Sequence, residues 1–434
     1  MARPGDKSRA VSKHLDIRIG DQAALVGRLT FVSDSNRRYS TFSYDSGWLA
    51  SKAVFTVSPD LALLAGHQIR KAPSDLDSSF FLALGDTEPD AWGRRVIARA
   101  NARERRDNPA LGPLSELDYL CAVDDFSRVG ALRICDGAGC FLGAGHDGGR
   151  RTPPLVDLGR VFQASRAVEA NDDSIEDLRY LQGRGTSLGG LRPKCTVLDE
   201  DGSLAIGKFP SISDQRSVTR GEVLAMRLAA RAGIRAASAR IVMIPDIPVA
   251  VIRRFDRASG GGRIHYWSAS SMLQSDRGED RSYTELVSAI ARYCVDAVAD
   301  SRELWRRIVF NHLITNTDDH LRNTGFLHVG GGLWRLSPAF DLNPFPDKAQ
   351  ESKTWLSEDT GPVTSIRTLI GMASRFYLSR DEALAILREI LGALVGWKAL
   401  SRNRDIGLSD ADVRDFESAF DHEEMEVALS LVGR

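Results

Sequence analysis

The chain has 434 residues, 43% hydrophobic and 26% charged, a composition that argues against fibrous and disordered classes and a length that calls for two or three subdomains. Its 57 Lys and Arg nearly cancel 58 Asp and Glu, for a formal net charge of -1, so nothing draws the whole molecule to nucleic acid or acidic membranes. The first twenty residues lack the apolar run of a secretory signal and no stretch reads as a membrane span. Cys121, Cys135, Cys140, Cys195 and Cys294 include no CxxC pair, which argues against disulfides and structural zinc and makes the cytoplasm the expected compartment.

Residues 22 to 58 read as three short strands, QAALVGRLTFV, RYSTFSYDSGWLA and KAVFTVS, with Ser, Asp and Asn at the turns. From Ser78 to about Arg106 the spacing is helical, with turn chemistry at residues 85–90. The Gly- and Pro-rich CDGAGCFLGAGHDGGRRTPP (Cys135 to Pro154) reads as a loop or domain junction. A glycine loop at 183–190 then precedes a hairpin, Lys194-Cys-Thr-Val-Leu and Leu204-Ala-Ile-Gly-Lys208-Phe, joined by DEDGS. A helix carrying Glu222 closes near Gly233, strands follow at Ala239–Ile244 and Pro248–Phe255, and the remainder is mainly helical. The expected fold class is α+β: a bilobal, kinase-like fold with a β-rich N-terminal lobe and a mainly helical C-terminal lobe. Its expected parts are 1–150, 151–257 and 258–434.

The strongest chemical signal is Thr317-Asp318-Asp319-His320-Leu321-Arg322-Asn323, placed where Leu304, Trp305, Ile308, Val309, Leu313 and Ile314 predict a buried helix. Asp318 and Asn323 are spaced as in a kinase catalytic loop, where an aspartate handles the substrate hydroxyl proton and an asparagine holds Mg²⁺. A hairpin through 324–336 returns the chain to Asp341, whose hard carboxylate oxygens suit Mg²⁺. By itself such spacing is more often a cap or turn; the joint pattern is what carries weight. Zinc held by Asp318, Asp319 and His320 is the rival chemistry, although adjacent residues seldom converge on one tetrahedral ion. The loop from Gly183 to Lys194, including Gly189 and Gly190, offers backbone N–H groups and cations to phosphate. It fits neither the Walker nor the G-x-G-x-x-G spacing. Lys208 is expected to face the α- and β-phosphates of ATP, with Glu222 as its ion-pair partner; a surface lysine and a solvated glutamate are the ordinary alternatives. The Arg-rich stretch 94–106 reads more simply as a solvated helix face than as a nucleic-acid interface.

Together these residues resemble the HipA-like serine/threonine kinases, toxins of bacterial type II toxin-antitoxin modules. The resemblance rests on Thr186-Ser-x-Gly-Gly-x-Arg-Pro-Lys194, Arg254-Phe-Asp-Arg257, Asn316-Thr-Asp-Asp-His-x-x-Asn323 and Leu336-Ser-Pro-x-Phe-Asp-Leu342. Upstream it extends to Val26-Gly-x-Leu29, Asp86-Thr-x-Pro-Asp-x-Trp-Gly-Arg94 and Ser127-Arg-x-Gly-Ala-Leu-Arg133. It implies Asp318 as catalytic aspartate, Asn323 and Asp341 as metal ligands, Lys208 as the phosphate lysine, and Lys194 and His320 near the nucleotide. It also implies a hinge at Arg253 to Phe255 that meets adenine, and autophosphorylation of Ser187 that expels the glycine loop. ATP and Mg²⁺ are the implied cofactors. The implied partners are a small helix-turn-helix antitoxin (HipB-like), operator DNA only through that antitoxin, and an aminoacyl-tRNA synthetase substrate, above all the glutamyl enzyme. Tyr266-Trp-Ser-Ala replaces a Gln-Glu-Asp found in many members, and Phe340 stands where a tyrosine often precedes the metal aspartate. A non-catalytic module that tunes an antitoxin is the alternative reading.

Overall fold

The computed structural model describes residues 11–33, 38–74, 77–143, 152–184, 190, 192–276, 278–346 and 351–433. In the N-terminal part, β1 (Val11–Ile19), β2 (Ala24–Ser33), β3 (Arg38–Tyr44), β4 (His67–Lys71) and β5 (Leu132–Cys135) form one antiparallel sheet in the order β4-β3-β2-β1-β5. A register shift in β1 after Ile17, which pairs with Gly27, carries the inward face from Val26 to Leu29 and Phe31. Gly27 is required there: a Cβ would lie 2.3 Å from the Ser43 carbonyl oxygen. Helices α1 (Ser46–Leu49), α2 (Leu82–Gly85), α3 (Ala91–Asp107) and α4 (Glu116–Ala122) complete this part.

Two local expectations need correction. KAVFTVS is not a strand; instead of pairing in the sheet, the Val57 carbonyl accepts bonds from His265 Nε2 at 2.7 Å and Trp267 Nε1 at 3.1 Å. Phe55 stacks on His328 with ring centroids 3.8 Å apart. The alternation that suggested a strand is therefore that of an extended segment docked on the other lobe. The Arg stripe is not simply a solvated face either. Arg94 pairs with Glu88 at 3.0 Å, Arg95 donates to the Val168 carbonyl at 3.1 Å, and Arg99 and Arg103 both reach the buried Asp173.

Those contacts join α3 to α5 (Leu158–Ala170) and to the turn before α6 (Ile175–Arg184). The three helices cover one face of a second sheet, β6 (Lys194–Leu198), β7 (Leu204–Lys208), β8 (Ala239–Ile244) and β9 (Ile247–Arg253), ordered β6-β7-β9-β8. Because side chains alternate across a strand, Val249 and Val251 enter the core with α3, α5 and α6, whereas Ala250 and Ile252 enter the core that contains α7 (Val218–Arg231). Burial on both faces explains why β9 reads as an unbroken apolar run. α7 closes before Gly233, whose φ of 76° suits glycine at a helix end.

The C-terminal lobe opens with β10 (Tyr266–Ser268), followed by α8 (Ala269–Met272), α9 (Tyr283–Tyr293) and α10 (Ala297–Leu313). The hairpin β11 (Gly325–Gly330) and β12 (Leu333–Leu336) completes a three-stranded sheet with β10. Stacked Trp267 and Trp334 rings, 3.8 Å apart, pack at its core. A short strand, β13 (Trp355–Ser357), leads to α11 (Ile366–Gly371), α12 (Arg380–Leu394), α13 (Trp397–Ser401), α14 (Asp410–Phe420) and α15 (Glu423–Leu431). Reciprocal capping boxes start α9 at Ser282 and Glu285 and α12 at Ser379 and Glu382. The two-lobed α+β fold expected from the sequence is thus present. No helix among the described residues is long and apolar enough to cross a membrane.

Candidate functional site

The site is built where β7, α7 and the segment after β12 meet. Lys208 closes β7, and its Nζ donates to Glu222 Oε1 on α7 at 2.6 Å and to Asp341 Oδ1 at 2.7 Å. Glu222 is nearly fully buried and Lys208 almost so. Burial opposes every charge here. For Asp341, Lys208 and Lys194 overcome it and hold the carboxyl well below the ordinary carboxylate range. For Lys208, the two acids overcome it and push the ammonium up. Glu222 keeps a raised pKa because burial outweighs Lys208. Asp341 has a φ of 56°, a left-handed conformation that Asp tolerates better than most side chains. Asn343 Nδ2 also donates to its Oδ1, at 3.1 Å.

Lys194 pairs directly across from Lys208 in the β6–β7 ladder. Two lysines opposite one another on one face repel unless acids or anions intervene. Lys194 is met by Asp90 at 3.5 Å, the N-cap residue of α3, which also accepts from Gly93 N at 2.6 Å. Burial lowers the Lys194 pKa, with Asp90 opposing. Burial also raises Asp90 from 3.8 to about 6 against the pull of Lys194. Between those values the folded chain holds a proton that the unfolded chain has lost, so Asp90 makes stability fall as pH rises from about 4 to about 6. Relative to Asp90→Asn, the wild type is expected to lose on the order of 2 kcal/mol over that interval in urea titrations; parallel curves would contradict it.

The polar run after α10 divides its duties. Asn323 lies in a short 3-10 turn, Leu321–Asn323, and its Nδ2 donates to the Asp318 carbonyl at 2.8 Å, which leaves the amide oxygen as its acceptor. The Asp318 carboxylate is about 41% exposed, receives Lys353 Nζ at 2.5 Å and has His320 Nε2 at 3.9 Å. Asp319 turns inward to Tyr283 and the 352–354 segment. Asp318, Asp319 and His320 therefore do not converge on one ion. Among the described residues no three His, Cys, Asp or Glu side chains form a metal cage. The Asp341 carboxylate and the Asn323 amide each offer hard oxygen, the donor type Mg²⁺ takes when phosphates and water supply the rest. His320 lies close enough to Asp341 to help stabilise its charge.

Arg253 places its guanidinium on Asp201 at 3.0 Å, and the amides of Arg253 and Arg254 are engaged by the Ser238 and Leu204 carbonyls. Phe255 packs against Phe340, with centroids 5.3 Å apart, directly before Asp341. Gly190 has a φ of 91°, and a Cβ on it would fall 2.8 Å from Lys194 Nζ. Ser187 and Gly189 lie outside the described residues. Sequence reasoning missed Asp90, Lys353 and the clamp formed by Asp319. The motif Asp86-Thr-x-Pro-Asp-x-Trp-Gly-Arg94 was the available signal for the first. Asp86 accepts from Ser268 N and Oγ, Thr87 from Arg128, and Trp92 N donates to the Gly190 carbonyl, so this motif ties the N-terminal part to the site.

Comparison with known proteins bears on the family likeness and the fold. Residues 186–397 match the family model described as the HipA-like C-terminal domain. A Haemophilus influenzae protein provisionally named as a kinase is 28% identical over 109 residues, 22% of this chain and 32% of that protein, so the match spans about a third of the relative's length. Among solved structures, HipA of Shewanella oneidensis MR-1, in a complex described as a toxin-antitoxin system of HipA, HipB and operator DNA, superposes with a TM-score of 0.64. It is 16% identical and covers 96% of this chain and 97% of that one, which establishes the shared fold. Lys194, Lys208, Glu222, Asp318, Asn323 and Asp341 all fall within the stretch that matches the HipA-like C-terminal domain model.

Proposed function

We propose that the chain is an ATP- and Mg²⁺-dependent serine/threonine protein kinase that acts as the toxin of a toxin-antitoxin module in the cytoplasm. The observation that carries this reading is the buried Lys208, bonded at once to Glu222 on the neighbouring helix and to Asp341. A strand lysine paired with a helix glutamate beside a metal-binding aspartate is what phosphoryl transfer requires to fix the phosphates of ATP. Lys194 and Lys208 supply adjacent positive charge to those phosphates, and Gly190 leaves room beside Lys194. Asn323 and Asp341 would hold Mg²⁺, which would supply positive charge to offset that of the phosphates. Asp318, exposed at the cleft, orients the substrate hydroxyl and takes its proton. The amide of Phe255 and the carbonyls around it are the hinge assigned to adenine, and Ser187 is the assigned autophosphorylation site.

The Shewanella structure contains HipB and operator DNA. By that likeness we assign this chain a small helix-turn-helix antitoxin as partner, with operator DNA reached through it. An aminoacyl-tRNA synthetase, the glutamyl enzyme first, is the assigned substrate, which would halt translation and arrest growth. The test is incubation of purified chain with Mg²⁺ and γ-labelled ATP, alone and with glutamyl-tRNA synthetase. Label is expected on a hydroxyl of either protein. No transfer, together with no nucleotide binding in calorimetry, would favour a non-catalytic antitoxin corepressor instead.

A further inference from the structure

We infer that Lys353 is a catalytic residue of phosphoryl transfer and that Asp319 is the positioning residue that aims it. The inference rests on the kinase reading above. Lys353 Nζ lies 2.5 Å from Asp318 Oδ1 although 35 residues separate them. What brings it there is the neighbouring acid. Asp319 Oδ1 accepts from the Lys353 amide at 2.7 Å, and Oδ2 accepts from Ser352 Oγ at 2.5 Å and Tyr283 Oη at 2.8 Å. The Asp319 carbonyl accepts from Thr354 Oγ1 at 2.7 Å. Trp355 N then donates to the Arg281 carbonyl at 2.9 Å, so the strap enters β13 already fixed. A buried carboxylate with both oxygens occupied by one segment sets that segment's backbone, while the Lys353 side chain, about 52% exposed, keeps freedom to move at the cleft.

The chemistry needs such a cation. During transfer the substrate O–H proton passes to the Asp318 carboxylate and the hydroxyl oxygen bonds to the γ-phosphorus. The bond from that phosphorus to the β,γ-bridging oxygen breaks, its electron pair leaving with ADP. Asp318 and the γ-phosphoryl group are both anionic and must stand within one hydroxyl of each other. Lys194 and Lys208, which face the phosphates from the sheet, are paired there with Asp90, Glu222 and Asp341, and neither contacts Asp318. Lys353 sits beside the nucleophile's position. It screens Asp318 before ATP arrives and then bridges Asp318 and the equatorial phosphoryl oxygens, where charge builds in the transition state.

The measurement is the rate of γ-phosphate transfer from Mg²⁺–ATP to the chain and to water, read as ADP released, alongside nucleotide affinity and melting temperature. Lys353→Met is expected to lower kcat about 100-fold while KM for ATP changes less than about threefold. Lys353→Arg is expected to recover part of the loss, because it keeps charge but not shape. Asp319→Asn is expected to lower kcat similarly, and the double variant to fall little below Lys353→Met, since both act through one cation. An active wild type matched or exceeded by Lys353→Met would overturn the inference, showing a spectator or an inhibitory latch. A wild type that neither binds Mg²⁺–ATP nor releases ADP would sink the kinase reading and the inference with it.

Discussion

Asp318→Ala is expected to slow γ-phosphate transfer about 1000-fold while leaving Mg²⁺–ATP affinity within about threefold. The contrast follows from how the loop is held. Asn323 braces it through the Asp318 carbonyl, at 2.8 Å, and a main-chain acceptor survives truncation of the side chain. Asp319 anchors the next residue independently. The lost carboxylate therefore takes with it the proton acceptor and the partner of Lys353, but not the fold of the loop or the lysine–glutamate–aspartate triad around Lys208. Rapid-quench transfer measurements with titration calorimetry separate the two quantities. An equal rate in the variant would remove Asp318 from the chemistry, and an equal loss of nucleotide affinity would make it a binding residue.

The largest expected effect on stability comes from a group that touches no reactant. Asp256 accepts from Arg254 at 2.9 and 2.5 Å, from Arg257 at 2.8 Å and from the Gly130 amide at 2.7 Å. Arg254 and Asp256 are buried and the Arg257 side chain is nearly so. Burial opposes its charge, but Arg254 and Arg257 prevail and hold the carboxyl well below the ordinary range. Its stabilisation is therefore present above pH 4 and is lost as pH falls toward the depressed value. Asp256→Ala leaves the buried Arg254 and the largely buried Arg257 without their anion, and about 3–5 kcal/mol of stability is expected to go with it. Guanidinium chloride unfolding at pH 7 reads this directly. A loss below about 1 kcal/mol would mean that the arginines find water or other acceptors. The arginines also hold the Ser127 to Gly130 loop through carbonyls 127, 128 and 130, so the unfolding midpoint should report on both parts of the molecule.

Local pattern made much of this legible. The apolar periodicity before Asn316 gave α10, glycines after Val329 gave the β11–β12 hairpin, and Lys208 and Glu222 were paired from the kinase-like order of glycine loop, strand lysine and helix glutamate, since each residue alone reads as an ordinary surface charge. What escaped was set by distance along the chain. β1 lies in a polar-looking opening and is held by β2 and β5 on its two sides, so its strand character comes from neighbours. Asp90 meets Lys194 across 104 positions and Lys353 meets Asp318 across 35; no spacing rule spans such gaps. Asp319 was the reverse case. Its place beside Asp318 suggested shared chemistry, whereas successive residues in an extended loop point apart, one to the cleft and one to the core.

The docked segment around Phe55 has a consequence for how this molecule varies between relatives. Val57 lends its carbonyl to His265 and Trp267, and Phe55 lies on His328, so one lobe supplies the acceptor that two buried rings of the other require. Burial holds His265 far toward its neutral form, at about 3, which lets a single unprotonated ring complete that joint. The N-terminal part is thus no interchangeable cassette. A substitution at Phe55 or Val57 narrows what positions 265, 267 and 328 can tolerate, and two relatives are expected to exchange lobes successfully only when they exchange both sides of this joint together.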